Sequence, residues 1–306
     1  MKRKVIQIAN STQLVSLPRA WAKRNNIQKG QEVDVLEDGK RVLITADTEG
    51  GIIEKAEIDA TDMDAMIPRM VHAMYKRGVD ELKITFNNPD TLNTVQESLG
   101  KEVVGFELLE QGSNYCVIKN VSGNIVEFDS VLRRAFLLLL TMSDQCLESI
   151  RKSDYANLKS VAFLEEANNR FSTMCRRALN KNGSEKYNKV GPIYYIVEEL
   201  EKIADQYKYV CLHYQGLNGK KEKLNKTALE TFSMANKMLR EFYELFYKFD
   251  KHKIASLKAT RNKIIDDAHS LFKKKLNHTD YWLVHHSITI ANKVFCLLGP
   301  YLVLST

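Results

Sequence analysis

From about residue 124 to the end of the chain, apolar residues recur at three- and four-residue spacings, the period of helices that bury one face. Pro192 and Pro300 are the only prolines in this stretch. The pattern lapses near Lys152-Ser153-Asp154, between Asn180 and Asn188, between Gly216 and Gly219, at Phe249-Asp250 and at Asn277-His278, which predicts six helices. Self-comparison sorts them into two sets of three. Met142 precedes Asp154 by the spacing at which Met238 precedes Asp250, and each aspartate opens a helix with a polar cluster, LEEANNRF from Leu164 and RNKIIDDA from Arg261. VEELEKIADQYKYV (197–210) then echoes HHSITIANKVFCLL (285–298) with a shift of one residue, aligning Ile203-Ala204-Asp205 with Ile290-Ala291-Asn292 and Glu201 with Ile288.

Ahead of the helices the period is mixed. In residues 1–48, Val5-Ile6-Gln7-Ile8, Gln13 to Leu17, Glu32 to Leu36 and Arg41 to Ile44 read as strands. ANST makes the first turn, Pro18 opens a short helix over Arg19 to Asn25, Gly30 turns the chain, and Asp38-Gly39 marks a hairpin. Four short strands and one helix cannot enclose a core alone, so this module calls for a second copy. Residues 49–123 predict a small α/β connector. Its helix over 61–77 bends near Pro68 and stops at Gly78, a strand follows at Glu81–Phe86 and a helix at Pro89–Leu99, and strands at Val103–Leu109 and Tyr115–Val121 flank Gly112. The expected architecture is therefore multidomain α and β: 1–48 a dimeric β-barrel module, 49–123 the connector, and two three-helix repeats over 124–216 and 217–306.

Composition changes this picture little. The chain has 306 residues, 44% hydrophobic and 27% charged, as in a soluble globular protein. Its longest apolar run, Ala135 to Leu140, falls far short of a bilayer span, and MKRKVIQIANS lacks the apolar stretch of a leader, so an integral membrane protein is not expected. Five cysteines without CxxC spacing fit a reducing, cytoplasmic compartment. The net charge of +7 is mild, but it concentrates at the start. Lys2, Arg3, Lys4, Arg19, Lys23, Arg24, Lys29, Lys40 and Arg41 face only Glu32, Asp34, Glu37, Asp38 and Asp47 within the first 48 residues. Dimerisation doubles that surplus, as contact with a phosphate backbone requires. Lys2, Arg3, Lys4, Arg19, Lys23 and Arg24 are the candidate DNA contacts.

Glu201 and Asp205 stand four apart and share a helix face, as do Glu165 and Asn169 on the preceding helix. Packed antiparallel, these four could converge on an oxygen-rich site for magnesium, manganese or iron. The alternative is a solvated face salt-bridged by Lys202 and Lys208. In the second repeat the matching positions are Asn262, Asp266, Ile288 and Asn292, of which Ile288 cannot ligate; His269, His285 or His286 would have to compensate. No Glu-x-x-His pairing, Ser-His-Asp set or Gly-rich phosphate loop points to an enzyme.

Residues 1–48 resemble the AbrB-type swapped-hairpin domain, through Ser11-Thr12-Gln13-Leu14-Val15-Ser16-Leu17-Pro18-Arg19-Ala20-Trp21 and Gly30-Gln31-Glu32-Val33-Asp34-Val35. The resemblance implies two chains interleaved in one small barrel, with DNA contact in many members and dimerisation alone in others. Residues from about 124 resemble PhoU, a phosphate-uptake regulator of two three-helix repeats. Glu201-Lys202-Ile203-Ala204-Asp205 matches its E-x-x-x-D motif closely, Glu165 to Asn169 matches with asparagine for aspartate, Asn262 to Asp266 matches loosely, and Ile288/Asn292 departs. The PhoU resemblance implies a divalent or iron-type metal cluster in the first repeat and a degenerate one in the second. The order of domains is similar to archaeal PhoU-related regulators. It implies a homodimeric DNA-binding regulator of phosphate homeostasis. The alternative is an adaptor on a phosphate-transporter ATPase or signalling partner that uses the N-terminal module only to dimerise.

Overall fold

A computed structural model describes residues 2–9, 12–38, 41–45, 53–122, 127–183, 187, 189–217 and 224–305. Its contacts divide the chain into two units, Met1–Glu54 and Lys55–Thr306.

The first unit holds two antiparallel hairpins and one helix. Strand β1 (Val5–Ile8) pairs with β2 (Thr12–Val15) in the register Val5↔Val15 to Ile8↔Thr12, and Ala9 opens the connection with φ of 52°. Strand β3 (Asp34–Asp38) pairs with β4 (Arg41–Thr45) from Asp34↔Thr45 to Asp38↔Arg41. The residues joining that hairpin, Gly39 and Lys40, lie outside the described ones. Helix α1 (Arg19–Arg24) is capped by Pro18, one place earlier than the first helical position expected for it, and its carbonyl accepts from the Ala22 amide at 2.9 Å. Gly30, with φ of 87°, takes the left-handed turn that leads into β3.

In the second unit, β5 (Lys55–Asp59), α2 (Ile67–Arg77), β6 (Glu81–Thr85), α3 (Thr91–Leu99), β7 (Phe106–Gln111) and β8 (Tyr115–Asn120) form a four-stranded sheet in the order β5-β6-β8-β7. β5 and β6 are parallel, joined through α2, and the other pairs are antiparallel. Strand β5 is absent from the sequence-based expectation. It alternates Lys55, Glu57 and Asp59 outward with only Ala56 and Ile58 inward, a weak signal, and it is held by the cross-strand pairs Lys55–Glu81 and Lys83–Glu57. A register irregularity at Leu108/Glu110 leaves Leu109 exposed. The bend expected near Pro68 is a helix start: a 3-10 turn (Asp64–Met66) leads into α2, whose second residue is Pro68, where a missing N–H costs nothing. The helix buries Ile67, Val71 and Tyr75 in a core shared with Leu82, Ile84, Phe106 and Ile118.

The expected breaks all separate helices: α4 (Phe128–Lys152), α5 (Leu158–Asn182), α6 (Val190–Gln215), α7 (Lys226–Tyr247), α8 (Lys251–Phe272) and α9 (His278–Cys296). Asn225, Asp250 and Asn277 cap α7, α8 and α9 with their side chains. Helices α4–α6 pack on one another, as do α7–α9, and the two triplets meet along α4/α7 and α6/α9. One helix was not expected: after a turn at Leu297 the chain continues as α10 (Leu298–Ser305) against α6 and α9. Pro300 explains the interruption, since a proline there cannot continue the hydrogen-bond ladder of α9 and its ring crowds the carbonyl four residues back. By length and composition His278–Ser305 is apolar enough to cross a membrane, yet Leu283, Val284, Ile290, Ala291 and Val294 are fully buried against the bundle.

Candidate functional site: a basic N-terminal module and an ionic seam

The N-terminal strands are apolar and uncovered. Val5, Ile6, Ile8, Leu14, Val15, Val35 and Val42 are each between 45% and 62% exposed. Ile6 and Leu14 pair on one face of the first hairpin and Val5 and Val15 on the other, so neither face has a covering layer within the unit. Among the described residues of the unit only Asn25 is buried, and it serves the end of α1 by donating to the Trp21 carbonyl at 2.8 Å. Fully burying a Val, Ile or Leu side chain is worth roughly 1.5–3 kcal/mol, so covering the half still exposed is worth about half of that each, and a second copy of the same surface can supply the cover.

All six candidate DNA contacts are exposed. Lys2, Arg3 and Lys4 precede β1, Arg19 starts α1, and Lys23 and Arg24 end it. Arg19 and Lys23 share a helix face. None of the six has a carboxylate in ion-pair range among the described residues, which leaves their charge available to an external polyanion.

In the bundle, the four oxygen-bearing residues expected to converge fall into two groups. Glu165 and Asn169 are buried on α5, where the Asn169 amide donates to Glu165 Oε1 at 2.8 Å. Lys208, from α6, donates to Glu165 Oε2 at 2.9 Å. Asp205 hydrogen-bonds with Glu165, and burial together with that neighbouring carboxylate pushes it up to about 6. Glu201 is turned to a different partner, the guanidinium of Arg176, which it shares with Glu198. Burial holds the Glu201 carboxyl above its ordinary value while Arg176 opposes that shift.

This arrangement does not fit a multinuclear metal cluster. Among the described residues no group of three or more His, Cys, Asp and Glu side chains is placed to hold a metal ion. The positions a cation would take beside Glu165 and Glu201 are filled by Lys208 and Arg176. The Oδ1 atom of Asn169 is buried without a partner, but one amide oxygen beside an ammonium is a poor cation site. In the second repeat Asn262 and Asp266 are exposed, and Asn292 accepts from Arg261 at 2.8 Å. His269 is exposed as well. His285 and His286 belong instead to an aromatic cluster around Trp282, with His213 stacked on the indole at 5.2 Å and His286 Nδ1 donating to Gln206 Oε1 at 2.9 Å.

The residues that organise the seam were not singled out from sequence. Arg176 is 1% exposed, with Nε on the Ser172 carbonyl at 3.3 Å. Its neighbour Arg177 reaches out of the bundle to the connector, donating to the carbonyls of Tyr75 and Val79 at 3.0 and 2.7 Å and to Asp80 at 2.6 Å. Lys181 clasps the same carboxylate at 2.5 Å. Arg177 thus puts a cation at the C-terminal end of α2, where the helix dipole favours one, and stacks on Tyr75 at 4.8 Å. Gly78 makes the close approach possible: it ends α2 at φ of 109°, and a Cβ there would lie 3.3 Å from Lys181 Cβ. The doubled arginine inside the apolar stretch Met174-Cys175-Arg176-Arg177-Ala178-Leu179 was the available signal.

Between α2 and the α5–α6 seam lies a cleft of about 940 Å³. Arg69, His72 and Lys76 line it from α2, Arg176 from α5, and Tyr194, Glu198 and Glu201 from α6.

Comparison with known proteins bears on the first unit. Residues 6–50 match the family described as antidote-toxin recognition MazE, bacterial antitoxin. The N-terminal module is MazE/AbrB-like. No curated protein and no solved structure matches the chain. The match covers the MazE-like module and leaves the connector and the bundle without an assigned family.

Proposed function

We propose that the protein is a homodimeric DNA-binding regulator of the antitoxin type, whose MazE-like module forms the dimer and contacts DNA while the helical bundle senses a signal or docks a partner. The observation that carries this is the uncovered apolar surface of both N-terminal hairpins, joined to six exposed cations without acidic partners among the described residues. A regulatory role in phosphate uptake is the finer part of the proposal. It draws support from the resemblance to PhoU and from the two helical triplets, whose breaks fall at matching places. On this reading the chain is not an enzyme and works in the cytoplasm.

Sedimentation of the full chain tests the dimer, and DNA titration across salt tests the contact. Neutralising about six phosphates per dimer predicts a log–log salt slope of about −5. Changing Arg19 and Arg24 together to alanine should weaken binding to every sequence and flatten that slope. A folded monomer at micromolar concentration overturns the dimer, and an unchanged slope moves the DNA surface off α1. Dimers that bind no DNA would favour the adaptor reading, with a transporter ATPase or signalling protein as partner.

A further inference from the structure

The α2–α5–α6 cleft combines a row of cations with an acidic and aromatic wall. Arg69, His72 and Lys76 follow the i, i+3, i+7 spacing that puts them on one face of α2, opposite the face that buries Ile67, Val71 and Tyr75. The acids of the cleft are already committed. Glu198 and Glu201 share Arg176, and Glu102 pairs with His72 Nδ1 at 3.2 Å. Arg69 and Lys76 have no carboxylate in ion-pair range among the described residues. Lys76 is half-buried and faces a second cation, Arg176. Burial and that guanidinium hold the Lys76 ammonium below its ordinary value, against the smaller opposing pull of Glu201, Glu102 and Glu198. A desolvated ammonium near a like charge is relieved by an incoming anion.

The size and the opposite wall narrow the class of anion. A volume of about 940 Å³ exceeds what a lone oxyanion needs and suits a drug-sized molecule. Tyr194 offers a ring, and Glu198, which keeps 35% of its side chain exposed, offers acceptor oxygens for hydroxyl donors. We propose that the cleft binds a hydroxylated phosphate ester, a sugar phosphate or nucleotide, with its phosphoryl group on Arg69 and Lys76 and its hydroxyls toward Glu198. An arginine fork beside a lysine point charge matches phosphoryl oxygens. The ligand would bridge the connector to the bundle. This proposal does not rest on the DNA-binding reading.

The test is calorimetric titration of the full chain with ribose 5-phosphate, adenosine monophosphate, inorganic phosphate and citrate. At least one ester should bind saturably, and Arg69→Ala with Lys76→Ala should weaken it at least tenfold. Neither side chain makes an ion pair among the described residues, so the double variant should keep the parent's melting midpoint; Arg69→Gln with Lys76→Gln repeats the test if it does not. Arg19→Ala with Arg24→Ala should leave ester binding unchanged, which separates this site from the N-terminal one. The proposal is overturned if neither ester saturates by about 10 mM, if the α2 variants bind as the parent does, or if inorganic phosphate or citrate binds as tightly as the esters.

Discussion

The two helical triplets share a packing frame and differ in what they place on it. Met142 and Met238 are both fully buried, and so are Ile203-Ala204 and their counterparts Ile290-Ala291. Between α5 and α6 the first triplet sets Glu165, Asp205, Lys208, Glu198, Glu201 and the buried Arg176. Between α8 and α9 the second sets Ile288 where Glu201 would stand, and a single Arg261–Asn292 contact. An apolar register leaves little freedom, because a shift of one methylene is felt in a close-packed core. Polar side chains on the same frame are interchangeable provided each charge brings its partner. The first triplet is thus the more polar copy and the more exposed to loss of a single partner.

The largest effect should come from Arg176. Replacing it with methionine keeps the volume but leaves Glu198 and Glu201 facing each other in a partly buried seam, a loss of about 3 kcal/mol for a broken pair of this kind. Chemical denaturation should register it as a lower midpoint. Adding Glu198→Gln and Glu201→Gln should recover most of the loss, since the cost lies in the stranded charges and not in the missing arginine. No recovery would mean that Arg176 acts through its packing, and the contrast between the triplets would lose its electrostatic basis.

A second contrast appears in pH. Asp205 has its folded value raised to about 6, so its contribution is present below the unfolded value near 3.8 and is lost as pH rises through 6. His286, on the second triplet, is lowered to about 4 by burial and by His285 and His213, so its contribution is present above 6.5 and is lost as pH falls toward 4. Over the window from pH 4 to 6 the two slopes oppose each other, each bounded by about 3 kcal/mol. Asp205→Asn should therefore tilt the stability slope across that window upward with pH relative to the parent. His286→Gln should tilt it downward. Parallel shifts of both variants, with no change of slope relative to the parent, would sink this account.

The helices and their breaks were legible because asparagine, aspartate and glycine mark them: Asn225, Asp250 and Asn277 cap helices, and the lapse at Lys152-Ser153-Asp154 ends α4 with Ser153 at φ of 55°. The edge strand β5 was hidden by its three charged residues, and α10 by an apolar pattern that runs on past Pro300 without a lapse. The spacing of Glu165, Asn169, Glu201 and Asp205 predicts one converging set, whereas Glu165, Asn169 and Asp205 group together and Glu201 turns to Arg176. Spacing could not reveal their counter-ions, because Arg176 lies eleven residues from Glu165 and a lysine on a helix face looks the same whether it bridges within or across helices. Lys208, one of the two lysines of the salt-bridged alternative, reaches across to Glu165 on α5.

The smallest effect should be at the second seam. Arg261 donates to Asn292 at 2.8 Å and lies 5.0 Å from the ring of Phe295, with no carboxylate in the contact. Changing Arg261 to methionine removes one hydrogen bond between partly exposed groups and keeps the stem that covers the ring, so the expected loss is about 0.5–1 kcal/mol. Asn292 still reaches water in that variant and strands no charge. Asn292→Ala should cost a similar amount, and the double change little more than either alone, as for two partners of one contact. Measured beside Arg176→Met in the same denaturant series, a loss at Arg261 as large as that at Arg176 would show that the second triplet depends on its polar seam as much as the first. Equal losses would erase the difference on which the comparison of the two copies stands.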